Sequence, residues 1–320
     1  MGKTTILTHT DCDGLCAAAI ALSKFPESAI FFTKPVSFLS DLRESDADRI
    51  IICDIAITKS DAKAVASMLE SKGRKSEIMY FDHHELPAGL KETDIKVSKY
   101  VHQQNVCTSE LVYRHLNAGL PEERIWLALY GAIGDFEDNS PYIKDKILSW
   151  DRRALYFEVS TLILGIKNRE FDSYDAKRRI VRMLSKGLNP SDVPGLVKSA
   201  KEAVTREFEL YEYIKNNARK KGKVGYVEDV PHFGFRGPSA LFSATVTNSQ
   251  VGLCAYDRKE YIDVTARKRG GDVRLNRLME KAAEMVGGSG GGLPSAAGAR
   301  IPKGKWEKFL QQVNRILASE

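Results

Sequence analysis

Ile78-Met79-Tyr80-Phe81-Asp82-His83-His84-Glu85 is an apolar run of strand length that stops abruptly on two adjacent imidazoles flanked by carboxylates. A short, continuously apolar run bounded by polar residues is the pattern of a strand covered on both faces. The same pattern stands upstream, where Ile50-Ile51-Ile52-Cys53 ends on Asp54, and again where the run from Thr5 reaches His9-Thr10-Asp11-Cys12-Asp13-Gly14. Strands are therefore expected at Thr5–His9, Ala29–Thr33, Arg49–Asp54 and Ile78–Asp82. Between them, Gly14–Phe25 is a helix apolar almost all round, hence buried, and Ser60–Lys72 carries Val65, Met68 and Leu69 on one face before Gly73. Strands alternating with helices predict a Rossmann-like α/β fold built on a parallel sheet.

Further helices are expected from a Ser109 or Thr108 cap to Gly119, over Glu122–Ile133, and through Arg152 to about Leu188. Asn189-Pro190-Ser191-Asp192 and Pro194-Gly195 then form the clearest breaker cluster in the chain. This divides the sequence into residues 1–188, a linker helix within 189–221 (Leu196–Lys221), and a smaller α+β domain over 222–320. In that last part the expected strands are Lys223–Val230, Ala240–Thr247, Gly252–Asp257 and Tyr261–Arg267, followed by a helix over Val273–Val286. Gly287-Gly288-Ser289-Gly290-Gly291-Gly292 is the one low-complexity stretch.

The chain has 320 residues, 43% of them hydrophobic, and a formal charge of +6. Such a length supports real cores without disulfide or metal staples, and excludes disordered and fibrous classes. No apolar run approaches the roughly 20 residues of a membrane span. The first residues lack the apolar core of a secretory leader, so a cytoplasmic protein is expected. The five cysteines, Cys12, Cys16, Cys53, Cys107 and Cys254, include no Cys-x-x-Cys pair and read as reduced, buried thiols. The positive excess suits an anionic substrate, although basic clusters such as Lys177-Arg178-Arg179 equally suit solvated helix faces.

Open parallel sheets bind ligands at the carboxyl ends of their strands, where these polar clusters stand. Each has a plain alternative. Asp11 or Asp13 would cap the following helix, Asp54 would begin a turn, and Asp135, in Gly131-Ala132-Ile133-Gly134-Asp135, would lie in a loop after a buried helix. Their coincidence at one sheet edge favours a shared cause. Carboxylates and imidazoles without thiolates suit manganese or magnesium, and about six ligands with one shared carboxylate suit two ions.

The four motifs, His9/Asp11/Asp13, Asp54, Asp82-His83-His84 and Asp135, stand in the order found in the DHH phosphoesterases, which this sequence resembles. Tyr261–Arg267, Val273–Val286 and Gly290-Gly291-Gly292-Leu293-Pro294-Ser295-Ala296-Ala297-Gly298-Ala299-Arg300 resemble that family's DHH-associated C-terminal domain, so the likeness spans nearly the whole chain. It implies a two-metal site for Mn2+, with Mg2+ as the alternative. Asp54 would bridge the ions, His83, Asp13 and Asp135 would complete one site, and Asp11 with His9 would serve the other. His84 would contact the scissile phosphate or leaving group, and Asp82 would support the imidazoles without binding metal. Arg267, Gly290, Gly291, Gly292, Ser295 and Arg300 would hold substrate. The glycines let backbone amides approach a phosphate, although their composition also suits a linker. Leu293 departs from the family's usual His after the glycines. The implied partners are a small nucleotide or a short single-stranded nucleic acid; a homodimer is compatible, and no membrane is expected. The implied function is hydrolysis of phosphodiester or phosphomonoester bonds in short oligonucleotides, dinucleotides or 3′-phosphoadenosine 5′-phosphate. The alternatives are a RecJ-like single-strand exonuclease and a non-catalytic DHH scaffold of a replication complex.

Overall fold

A strand that is apolar throughout needs cover on both faces, and the early strands of this chain have it. The computed structural model describes residues 2–231 and 234–319. In chain order the first part consists of β1 (Thr4–Thr8), α1 (Cys12–Lys24), β2 (Ala29–Phe32), α2 (Phe38–Glu44), β3 (Arg49–Cys53), α3 (Ala62–Gly73), β4 (Glu77–Asp82) and β5 (Lys99–His102). Then come α4 (Thr108–Leu116), α5 (Ile125–Gly134), α6 (Pro141–Ile147), α7 (Arg152–Gly165) and α8 (Tyr174–Ser185). Beyond them, α9 (Leu196–Asn217) crosses the division between two compact units, the first ending at Lys201 and the second beginning at Glu202.

The first sheet is parallel in the order β2-β1-β3-β4-β5. Within β3, Ile51 and Cys53 face a core shared with α1, α4 and α5, while Ile50 and Ile52 face a second core with α2 and α3. Burying each isoleucine contributes about 2 kcal/mol. Helix α1 is buried from Cys12 to Leu22, because α4, α5 and α8 pack around it. The strand order turns back at β1, so the carboxyl ends of β1 and β3 form the switch point at which such sheets bind ligands. The residues that follow β1, β3 and β4 are His9 to Asp13, Asp54, and His83 with His84. All five cysteines are buried and free. Among the described residues, no helix is long and apolar enough to cross a membrane.

The second unit continues with β6 (Arg219–Lys221), β7 (Val224–Glu228), α10 (Arg236–Val246), β8 (Val251–Asp257) and β9 (Tyr261–Lys268). It ends with α11 (Leu275–Glu284), β10 (Ser289–Gly292), β11 (Ala296–Pro302) and α12 (Trp306–Ser319). The sheet order is β10-β11-β9-β8-β7-β6, with β7 and β8 parallel and the other neighbours antiparallel. Leu275, Leu278 and Met279 of α11, with Phe309, Leu310 and Val313 of α12, form a core with Val251, Leu253 and Val264.

Several local expectations are corrected here. Ala240–Thr247 is not a strand: it belongs to α10, whose Ser239, Ala240, Ser243 and Ala244 bury a helically spaced small-residue face. That face presses on the sheet so closely that a Cβ on Gly252 would collide with the Ala240 carbonyl. The linker helix stops at Asn217, and Arg219–Lys221 pairs with β7 instead. The glycine stretch is not a free linker, because its Ser289–Gly292 part is an edge strand paired with β11. The helix expected over Val273–Val286 spans Leu275–Glu284. Its N-cap position is Arg274, without a side-chain cap bond, and the Leu275 N–H donates to the Pro294 carbonyl.

Candidate metal centre

Helix α1 begins at its N-cap Asp11, whose Oδ1 accepts the Gly14 N–H at 3.0 Å, so capping and membership of the polar cluster coexist. The other oxygen, Oδ2, lies 2.6 Å from His9 Nδ1. Asp13, two residues on, is buried, and the N-terminus of α4 holds it: the Thr108 N–H donates to Oδ2 at 2.7 Å and the Ser109 N–H to Oδ1 at 2.9 Å. This anchor joins residues 95 and 96 positions apart. At Gly131 of α5, a Cβ would come within 2.6 Å of Asp13 Oδ1 and would also collide with Ser109, so only glycine admits this approach.

Asp54 follows β3 with φ 61°, a conformation that aspartate tolerates. Its Oδ1 is 3.5 Å from His83 Nε2 and 3.9 Å from His84 Nδ1, and its Oδ2 is 3.8 Å from His9 Nδ1. The two oxygens thus look toward different imidazoles. Asp82 ends β4 and accepts from His84 Nδ1 at 2.8 Å. Asp135, the C-cap of α5, has Oδ2 3.4 Å from His83 Nε2.

Helix α5 ends in a Schellman pattern. The Phe136 N–H reaches the Ile133 carbonyl at 3.3 Å, and the Glu137 N–H reaches the Ala132 carbonyl at 2.9 Å. Phe136 has φ 60° at the position that usually carries glycine, which costs about 1–2 kcal/mol for a residue with a Cβ.

Three triads of potential ligand atoms result: His9/Asp11/Asp54, Asp54/His83/His84 and Asp13/His83/Asp135. Within each, the atoms lie within 4.8 Å of one another. Asp54 and His83 each belong to two triads. The charges are unresolved among themselves. Burial first, then Asp11 and Asp13, push the Asp54 carboxyl well above the usual range, and burial with Asp13 raises Asp135 to about 8. Burial opposes the charge on His84, but Asp82 more than offsets this and raises it to about 9. Burial and the neighbouring His84 lower His83. Burial likewise disfavours ionised Asp11, which is nevertheless held well below the usual carboxylate range, chiefly by His9.

The buried Asp54 Oδ2 and Asp135 Oδ2 have no hydrogen-bond partner, and neither has the buried Thr108 hydroxyl. Orphaned carboxylate oxygens are costly unless something supplies positive charge, and divalent cations do so. Cys53 adds no ligand, because burial and then Asp13 push its thiol far up, leaving it neutral. The donors are hard oxygens and imidazole nitrogens, a set that fits Mn2+ or Mg2+.

The residues expected to hold substrate lie elsewhere, in the second unit. Gly292 pairs with Ala297, Ala297 with Ala266, and Arg267 with Ala296, so Gly292 and Arg267 share one end of the sheet with the exposed turn residue Ser295. Gly290 and Gly291 precede them on β10. Arg300 faces Asp263, four positions along β11 from Ala296, which separates it from that turn by about 13 Å. Its Nε donates to Asp263 Oδ1 at 2.9 Å, and its guanidinium lies over Tyr261 at 3.8 Å. Thr108 and Ser109 are what sequence reasoning missed in the first unit, since they act through backbone N–H groups that leave no mark in side-chain identity.

Residues 3–133 match the family model described as the DHH family, N-terminal domain, and residues 243–319 match the DHHA1 domain. Asp135 lies just beyond the first match. No curated protein sequence matches the chain significantly. Among solved structures, RecJ from Thermus thermophilus in complex with Mn2+ is 17% identical with a TM-score of 0.68. The match covers 100% of this chain and 52% of that one, so this chain spans about half of RecJ's length. The pGpG-specific phosphodiesterase PggH from Vibrio cholerae is 16% identical, TM-score 0.61, over 99% of this chain and 100% of that one. An exopolyphosphatase-related protein from Bacteroides fragilis is 15% identical, TM-score 0.56, over 99% and 92%. At these identities the likeness is one of fold.

Proposed function

We propose that this chain, which carries a DHH family N-terminal domain and a DHHA1 domain, is a two-metal phosphoesterase acting on short oligonucleotides or small nucleotides such as dinucleotides and 3′-phosphoadenosine 5′-phosphate. The observation that carries this reading is Asp54, a buried carboxylate shared by two triads, with one oxygen orphaned. His9, Asp11 and Asp54 would hold one ion, and Asp13, Asp54, His83 and Asp135 the other. Such ions, Mn2+ first and Mg2+ second, would supply Lewis acidity to a phosphoryl oxygen and a nucleophilic water at neutral pH.

The remaining work falls to the chain itself. Asp82 fixes the His84 ring through Nδ1 and keeps it protonated at pH 7, its pKa being raised to about 9. That leaves the Nε2–H to donate to a phosphoryl oxygen or to the leaving oxygen. The α4 N-terminus holds Asp13 in place through the Thr108 and Ser109 N–H groups. In the second unit, Arg267 and the amides around Gly290, Gly291, Gly292 and Ser295 would bind the nucleotide's phosphates, with Arg300 a weaker contributor because Asp263 already engages it.

A single-strand exonuclease and a metal-binding scaffold without turnover are the competing readings. Metal-free protein titrated with Mn2+ against a dinucleotide, 3′-phosphoadenosine 5′-phosphate and a longer single strand separates them. The expected result is Mn2+-dependent hydrolysis of the small substrates. Preference for the long strand would favour the exonuclease, and tight Mn2+ binding without any hydrolysis would favour the scaffold.

A further inference from the structure

Among the described residues, five non-glycine side chains sit at positive φ: Asp54, Asn105, Phe136, Asp229 and Asn248. Four are Asp or Asn, whose short polar groups tolerate that conformation. Phe136 is the exception. The hydrogen bonds that fix its turn are made by backbone, and glycine would make them without strain. Nor does the ring serve the core, since Phe136 is 85% exposed. Nothing in the packing calls for an aromatic side chain here.

Its neighbour does. Asp135 belongs to the Asp13/His83/Asp135 triad, and consecutive Cα atoms are about 3.8 Å apart. Strain kept at a site's margin without a packing return is a mark of function. An exposed ring one residue from Asp135, whose triad shares His83 with the triad of His84, the residue assigned to the phosphate, is a flat apolar surface beside the proposed metal centre, available to the group attached to that phosphate.

We propose that Phe136 is a stacking platform for the substrate's nucleobase. The ester taken by this site is then a base-bearing nucleotide and not inorganic polyphosphate. This rests on the phosphoesterase reading for its location and substrate class, and deepens it by assigning the residue that would hold the base. Stacking accepts any base, because every base has a π-face, so the platform selects for a base without choosing which.

The test is binding to the full chain in Mn2+, read by rapid mixing before turnover, using a dinucleotide that carries fluorescent 2-aminopurine, its abasic counterpart and tripolyphosphate. The unmodified chain should quench the aminopurine. Phe136→Ala and Phe136→Gly should bind the dinucleotide on the order of tenfold more weakly and lose the quench, while Phe136→Trp keeps both. The preference for the dinucleotide over the abasic analogue should fall toward unity in the two truncated variants. Phe136→Gly should melt no lower than the unmodified chain, which separates a lost platform from a damaged fold. Equal dinucleotide affinity in the truncated variants, or tighter binding of tripolyphosphate than of dinucleotide, would overturn the proposal. Binding and quenching without hydrolysis would sink the phosphoesterase reading and leave Phe136 its role. Hydrolysis that Phe136→Gly leaves equally fast, with equal affinity, would do the reverse.

Discussion

The polar cluster at the carboxyl ends of β1, β3 and β4 and the arginine cluster around Asp263 are both dense in charge, yet they differ in how that charge is settled. At Asp263, Arg300, Arg258 and Arg236 lie at 2.9, 3.4 and 3.6 Å, and Tyr256 and Tyr261 underlie the guanidiniums. These groups are partly exposed and already paired, as in an ordinary surface network worth little individually. In the first cluster the carboxylates are mostly buried, repel one another and keep orphaned oxygens. Density of charge is common. Charge left buried and unpaired is what points to a ligand.

The largest effect should follow from removing the shared carboxylate. Asp54→Ala should lower Mn2+-dependent turnover by on the order of a thousandfold or more and abolish binding of one ion, as read by kinetics and metal titration. Hydrolysis at the unmodified rate would contradict the role given to Asp54. Next comes Asp82→Asn, which keeps the shape but weakens the hold on His84. Turnover should fall about 10- to 100-fold, and the alkaline limb of the pH profile should move to lower pH. An unmoved limb would remove Asp82 from that role.

The contrast also has a pH signature. In the metal-free fold, Asp54 and Asp135 hold protons that they would release on unfolding, and His84 stays charged up to about 9. Groups with raised values contribute stability at low pH that is lost as pH rises through the folded value. The melting temperature of metal-free protein should therefore fall by a few degrees, roughly, between pH 6.5 and 9. Saturating Mn2+ takes the place of those protons and should raise the melting temperature more at pH 8 than at pH 6.5. A metal-free melting temperature that rises over this range would count against the assigned shifts. The smallest effects distinguish the arginines: Arg267→Ala should raise KM about tenfold, and Arg300→Ala about twofold or less. Equal effects would mean that the Asp263 network does not restrain Arg300.

Much of the first unit was legible because Ile50 to Cys53 and Ile78 to Phe81 are apolar throughout, a pattern that identifies buried strands and therefore locates their ends. His9, Asp11, Asp54 and His83 could be placed near one edge by that logic, whereas Asp135 follows a helix and joins them in the sequence only through the family resemblance. The hold on Asp13 could not, since α4 supplies it from 95 residues away through backbone groups. Helix α10 was misread because Val246 and Thr247 lend a strand-like ending to a segment whose burial depends on Ser239, Ala240, Ser243 and Ala244. Small residues carry little periodic hydrophobic signal until the sheet they press against is known. The glycine strand Ser289–Gly292 gave no propensity signal either, being held by its pairing with β11.

Anomalous diffraction at the manganese edge from Mn2+-soaked crystals is the most direct trial of the shared-carboxylate account. Two peaks roughly 3.5–4 Å apart with Asp54 between them are predicted. A single peak, or none within reach of Asp54, would contradict it.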